Sequence, residues 1–158
     1  MTLFDTGPDS QSLVRNIKAM QIAVNKISRV VISHWHRDHT GGLLSFLKLR
    51  REAGNVGGPC VVDVHPDRPI ARGIAPPPTY DKIIGRLPAD PAFHEIEDLG
   101  GIVEKRSDEH SIANDTIWVS GEIPRVTSYE QGILGGVRWV EDQGIGTWTK
   151  EEVVLHKF

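Results

Sequence analysis

Three histidines and an aspartate fall within six positions of the stretch Ser33-His34-Trp35-His36-Arg37-Asp38-His39-Thr40-Gly41-Gly42. The whole chain of 158 residues holds only seven histidines, so this density singles the stretch out. Imidazole nitrogen and carboxylate oxygen are the usual zinc ligands where no thiolate is offered. If the backbone is extended across His34-Trp35-His36, side chains at i and i+2 point the same way, and both rings can grip one ion. Asp38 and His39 come after the chain has turned and can reach a second ion close by. Two neighbouring metals suit hydrolysis, because one polarises a substrate oxygen while the pair makes hydroxide available near neutral pH. The competing reading is a polar loop with scattered surface histidines.

Rigid elements must hold such a cluster. Residues 29–32 (Arg-Val-Val-Ile) read as a short buried strand. Residues 42–53 read as a helix whose apolar side is Leu43, Leu44, Phe46 and Leu47. The cluster therefore sits on a strand-to-helix turn, a place that aims several side chains at one point.

His34-x-His36-x-Asp38-His39, followed by Thr40-Gly41-Gly42, resembles the metal-binding signature of the metallo-β-lactamase-fold hydrolases. Leu3-Phe4-Asp5-Thr6-Gly7 is similar to the Asp-Thr-Gly turn that precedes it in that superfamily. Ser120-Gly121-Glu122-Ile123-Pro124-Arg125, with Thr127 and Glu130, resembles a narrower branch, the dihydropterin-ribofuranosylaminobenzene-phosphate synthase-like proteins. The resemblance runs from residue 3 to about 143 and is patchy between 65 and 110. It implies an α/β fold: part of the αββα sandwich, roughly its N-terminal half, as one incomplete domain over residues 1–158. It also implies His34, His36, Asp38 and His39 as ligands of two divalent metals, zinc first, with manganese or iron as alternatives. Asp38 would hold the second ion and orient the attacking hydroxide, which makes it the catalytic residue. Asp5 would orient the ligand loop by hydrogen bonds, although an Asp that only stabilises its own turn is an equal reading.

The expected function is metal-dependent hydrolysis, or a related transfer, on an ester, phosphoester or pterin-linked small molecule. One alternative is a catalytically inactive metal-binding or interaction remnant. Another is a glyoxalase-II-like thioesterase or a lactonase. The resemblance further implies a histidine for the first metal, a bridging carboxylate and a histidine for the second, all from later segments. A Cys-x-His-x-Gly segment after an apolar strand such as 153–155 is absent, and His156 lacks such surroundings. The chain is expected to be cut at both ends and to lack a complete site by itself.

Apolar-apolar-Asp-Thr-Gly is also the aspartic-protease signature, in which two carboxylates share a proton. No second Asp-Thr-Gly or Asp-Ser-Gly occurs, and a dimer would leave the histidines unexplained. Glu122 and Arg125 could position an anionic substrate, since a guanidinium is a good fork for phosphate. The rival reading is an ion pair that closes a loop.

Composition bounds the rest. The length suits one domain, and 39% hydrophobic residues allow a core. A net charge of −3, with acidic and basic residues mixed, shows no nucleic-acid or membrane footprint and disfavours a nuclease. The lone Cys60, beside Val61 and Val62, is expected to be a buried thiol. No signal peptide or transmembrane run is visible, which makes the cytoplasm the expected address.

Further elements follow from pattern. Residues 10–20 suit a helix with Leu13, Ile17 and Met20 on one face and Asp9 or Ser10 as cap. Gly54 is a natural stop for the second helix, and Cys60 to Val64 is the next strand. Residues 65–92 hold seven of the ten prolines, which excludes a long regular element. They suggest a surface excursion, a candidate flap near the site, with a short helix around 80–86; His65 could lie near the site, but a capping or solvent-facing histidine is the preferred reading. Residues 92–99 suit a helix carrying an exposed His94. Residues 102–106 and 116–120 suit a hairpin or two adjacent edge strands, joined by a polar loop that contains His110. Residues 131–149 show no period, and 153–155 read as a last strand. An incomplete sheet would leave apolar faces uncovered, so homodimerisation or aggregation through that sheet is expected.

Overall fold

The computed structural model describes residues 1–54, 57–130 and 132–150. Four parallel strands form the first sheet, in the order β1 (Thr2–Phe4), β2 (Arg29–Val31), β3 (Cys60–Val64) and β6 (Gly101–Lys105). Parallel neighbours need crossovers, and helices supply them. These are α1 (Ser12–Ala19), the short α2 (Arg37–Thr40), α3 (Leu43–Glu52) and α4 (Phe93–Asp98).

Each helix is written locally. Ahead of α1, the Asp9 carboxylate accepts the backbone N–H groups of Gln11 and Ser12 and the Ser12 hydroxyl. Those bonds hold Asp9 down at about 2, the Ser12 hydroxyl contributing most. Gly54, at φ +91°, ends α3 in the left-handed region that a side chain disfavours. Leu43, Phe46 and Leu47 of α3 are fully buried, with Leu44 packed at the margin. Ile17 of α1 is buried and Leu13 packs beside it, but Met20 lies beyond the helix end and is exposed.

The core lies between these helices and one face of the parallel sheet, with Val30, Ile32, Cys60, Val62 and Val64 pointing into it. On the other face Val31 meets Ile112 and Val119 of a small hairpin, β7 (His110–Ile112) and β8 (Ile117–Val119). The expected pairing of 102–106 with 116–120 does not occur. β6 joins the parallel sheet, β8 turns back on β7, and His110 opens a strand rather than sitting in a loop. Ala113, Asn114 and Asp115, all at positive φ, turn the chain back to close the hairpin, and Asp63 then anchors it. Buried on this face, Asp63 accepts from Arg29 at 2.9 Å and from His110 at 2.8 Å, and this ties the hairpin across the sheet.

A second, antiparallel sheet runs β10 (Ile145–Lys150), β9 (Gly136–Asp142), β4 (Ala71–Ile74) and β5 (Gly85–Arg86). Gln143 and Gly144, both at positive φ, form the two-residue turn between β9 and β10. Trp139 faces Trp148 across that hairpin with ring centroids 5.4 Å apart. One gap is filled and one expectation corrected here. Residues 131–149 contain a hairpin, and 80–86 hold no helix, because Ile84 and Leu87 bond back to β4 on either side of β5. The proline-rich segment does avoid long elements, as lost amide donors require. It is nevertheless more than a surface path, since Arg72, Ala75 and Asp90 are buried. The expected strand at 153–155, and His156, lie outside the described residues. Among the described residues no helix is long and apolar enough to cross a membrane.

Candidate metal centre

All four strands of the first sheet point the same way, so their carboxyl ends form one edge, where open α/β sheets bind ligands. β1 delivers Asp5 to that edge, β2 delivers the histidine turn, and β3 delivers His65.

The backbone is not extended across His34-Trp35-His36 as expected: it bends at residues 33–35, with the His36 N–H donating to the His34 carbonyl at 3.0 Å, and the two rings still converge. His36 is extended (φ −128°, ψ 147°). The His34 and His36 rings meet edge to face at 4.6 Å, while Trp35 turns the other way into the core against Phe93. His34 Nε2 lies 3.1 Å from His36 Nδ1. One residue into α2, Asp38 is well exposed, with Oδ2 3.4 Å from His39 Nε2. The His34 and His39 rings sit 4.1 Å apart, so the two pairs are neighbours.

Asp5 orients this arrangement. Its Oδ1 accepts the Ser33 N–H at 2.8 Å, and its Oδ2 accepts the Ser33 hydroxyl at 2.8 Å and His39 Nδ1–H at 2.6 Å. With Nδ1 donating to Asp5, His39 turns the lone pair of Nε2 toward Asp38. The Ser33 hydroxyl also lies 3.0 Å from His34 Nδ1. Asp5 adopts φ +53°, an uncommon conformation for a residue with a Cβ, and the loop is shaped around it. Burial, and after it the nearby His39 and His36 rings, push His34 down to about 4. The ring is therefore neutral at physiological pH, the state a metal ligand requires.

The fit to a metal is partial. Two donors about 2.0–2.1 Å from a tetrahedral zinc stand about 3.3 Å apart. The separations of 3.1 Å for His34–His36 and 3.4 Å for Asp38–His39 both match one shared ion per pair. Yet among the described residues no group of three or more His, Cys, Asp or Glu side chains is disposed to hold a metal. At those separations the turn could offer two donors to each of two ions, short of a complete shell.

The model of the metallo-beta-lactamase superfamily matches residues 2–110. The chain belongs to that superfamily. Its mixed α/β architecture, with several sheets, corresponds to part of the metallo-β-lactamase fold. Over 46 residues the chain is 39% identical to the 7,8-dihydropterin-6-methyl-4-(beta-D-ribofuranosyl)-aminobenzene-5'-phosphate synthase of Methanocaldococcus jannaschii. That match covers 29% of this metallo-β-lactamase-superfamily chain and 16% of the relative's length.

Other expected site residues are placed differently. Glu122 does reach the carboxyl edge of the sheet, but its Oε1 accepts from His65 Nε2 at 2.6 Å. Arg125 lies against Gly132, where a Cβ would meet its Nη1 at 2.8 Å. Glu130 closes its own turn by accepting from the Val126 and Thr127 amides and the Thr127 hydroxyl. His65 caps its own loop, as one reading expected, but it does not face solvent. It is buried, its Nδ1 accepts the Asp67 N–H, and its carbonyl accepts the Trp35 indole N–H at 2.8 Å. The available signal was its position at the end of an apolar strand parallel to the one that carries the histidine turn. Glu122, with Ser107, Asp108, Glu109 and Ser120, also lines an open cleft of about 400 Å³.

Proposed function

We propose that the turn formed by His34, His36, Asp38 and His39 is the metal-holding part of a hydrolase, or a related transferase, acting on an ester, phosphoester or pterin-linked small molecule. The observation that carries this reading is the sorting of four donors into two pairs, each at the separation one ion imposes, with His39 oriented by Asp5. His34 and His36 would hold one divalent ion, zinc before manganese or iron, and Asp38 and His39 a second. A bound ion supplies Lewis-acid polarisation of a substrate oxygen and lowers the pKa of water. The chain's own residues do the positioning. Asp5 fixes the His39 tautomer, burial keeps His34 neutral, and the exposed Asp38 carboxylate can orient a nucleophile's proton. The name of the Methanocaldococcus jannaschii relative supports a pterin-linked substrate over a thioester or lactone, and the match is confined to a short stretch of both proteins.

Elemental analysis of the purified protein beside a His34→Ala/His36→Ala variant tests the metal reading. Metal that is bound by the wild type and disappears in the variant is the expected outcome; equal metal in both would overturn it. A screen over phosphoesters, carboxylic esters, thioesters and lactones then addresses the reaction, and His36→Ala should abolish any turnover found. Weak, exchangeable metal with no turnover would favour a binding-only role.

A further inference from the structure

The signature helix α2 is gripped from two sides. On one side the Thr6 N–H and hydroxyl both donate to the His39 carbonyl at 2.7 Å. Gly41 and Gly42 let the backbones touch there, since a Cβ on either would stand 2.2 Å from the carbonyl oxygen of Pro8 or Thr6. On the other side stands Asp90, from the proline-rich segment, only 4% exposed. Its Oδ1 accepts the hydroxyl of Thr40, the last residue of α2, at 2.7 Å. Its Oδ2 accepts Arg72 Nε at 3.1 Å and Nη2 at 2.9 Å. Arg72 is itself buried in β4 of the antiparallel sheet. The backbone around Asp90 is fixed as well. Arg68 donates to the carbonyls of Asp90 and Pro91, and Arg37 of α2 donates to that of Ala89 at 3.1 Å.

A carboxylate and a guanidinium taken out of water cannot separate without leaving an uncompensated charge, so their mutual geometry is narrow. Thr40 is fully buried beside them, and its own N–H bonds to the His36 carbonyl. Movement of Asp90 is thereby passed to the turn that bears the rings. We propose that Asp90 is a positioning residue for the metal-binding turn: the Arg72–Asp90 pair, acting through the Thr40 hydroxyl, sets where α2 carries His36, Asp38 and His39. The proposal deepens the metal reading above, and its first test does not depend on it.

The test compares Thr40→Val, which keeps the shape and deletes the hydroxyl, with Thr40→Ser, which keeps the hydroxyl. Imidazole ¹⁵N shifts are read by NMR in the metal-free protein, and Co²⁺ affinity is read by visible absorption. Thr40→Val should shift the His36 and His39 ring signals and weaken Co²⁺ binding by roughly ten- to hundredfold, as loss of a ligand-orienting partner does. Thr40→Ser should keep wild-type shifts and affinity. Asp90→Asn, a second variant that retains an acceptor for Thr40 while weakening the Arg72 pair, should move the same two rings. Leu47→Ala, a core variant with a lowered melting temperature, should move neither. Wild-type ring shifts in Thr40→Val, or identical changes in Leu47→Ala, would overturn the proposal. If the wild type takes up no Co²⁺, the metal reading fails, and the ring shifts alone still decide the clamp.

Discussion

The two sheets are built on opposite terms. The parallel sheet, β1-β2-β3-β6, draws on apolar runs such as Val30–Ile32 and Cys60–Val64, and helices close in sequence cover it. The antiparallel sheet, β10-β9-β4-β5, joins Ala71–Ile74 to Gly136–Trp139 across a long stretch of chain. Its strands are short on aliphatic residues and rich in Gly, Arg and Trp. Its faces are secured by particular contacts: Trp139 on Trp148, Trp148 over Gly73 with the Arg86 guanidinium 5.5 Å from its ring, and Arg138 on Asp67. Apolar burial stabilises the first sheet in bulk, whereas a handful of pairings specify the second. The candidate centre hangs from the first, and the second reaches it through Arg72 and Asp90.

This contrast can be broken by mutation, beginning where the effect is largest. Phe46 lies fully buried under the parallel sheet. Phe46→Ala should cost about 3–5 kcal/mol. Urea unfolding followed by circular dichroism checks this, and a loss under about 1 kcal/mol would contradict the placement of the core. Trp148→Ala should cost less, about 1–2 kcal/mol, because the ring is only partly covered and gives up chiefly its aromatic partner. Hydrogen exchange should then quicken in residues 71–74 and 136–150 while residues 29–31 and 60–64 keep their protection. Equal loosening of both sheets would mean that they form a single cooperative unit.

The smallest effect concerns charge. Asp67 accepts two hydrogen bonds from Arg138, each 2.6 Å, and these bonds before any other cause hold its carboxyl below the usual aspartate range. A carboxyl lowered on folding stabilises the protein above its ordinary pKa, and the contribution disappears as pH falls through the lowered value. Asp67 is half exposed. Asp67→Asn should therefore cost below about 1 kcal/mol at pH 7. Urea midpoints of variant and wild type should converge as the pH is taken below the aspartate range, and a gap that widens in acid would refute the assignment.

Much of the candidate site could be read from the sequence because its logic is local. His34, His36, Asp38 and His39 are within reach of one another through a tight bend at Trp35 and a single turn of helix, and Asp5 is marked by the residue order of its own Asp-Thr-Gly turn. Leu43, Phe46 and Leu47 declared a buried helix face, and Gly54 its end. His65, Asp63, His110 and Asp90 could not be read in the same way. Each became buried by pairing with a residue distant in the chain: His65 with Glu122, Asp63 with Arg29 and His110, Asp90 with Arg72 and Thr40. A polar side chain in isolation carries no sign that its partner waits many residues away.

The sequence by itself determined the superfamily signature, the neighbouring strands β2 and β3 and the helices beside them, because apolar periodicity, caps and a dense ligand motif act over a few residues. Tertiary structure alone decided that β7 and β8 pair with each other, that β4 and β9 meet, that Asp63 bonds His110 of the hairpin, and that Asp90, paired with Arg72, bonds the Thr40 hydroxyl beside the histidine turn. Those choices depend on desolvation: a charge is buried only where folding brings a counter-charge to meet it, and that meeting exists nowhere in the linear order of residues.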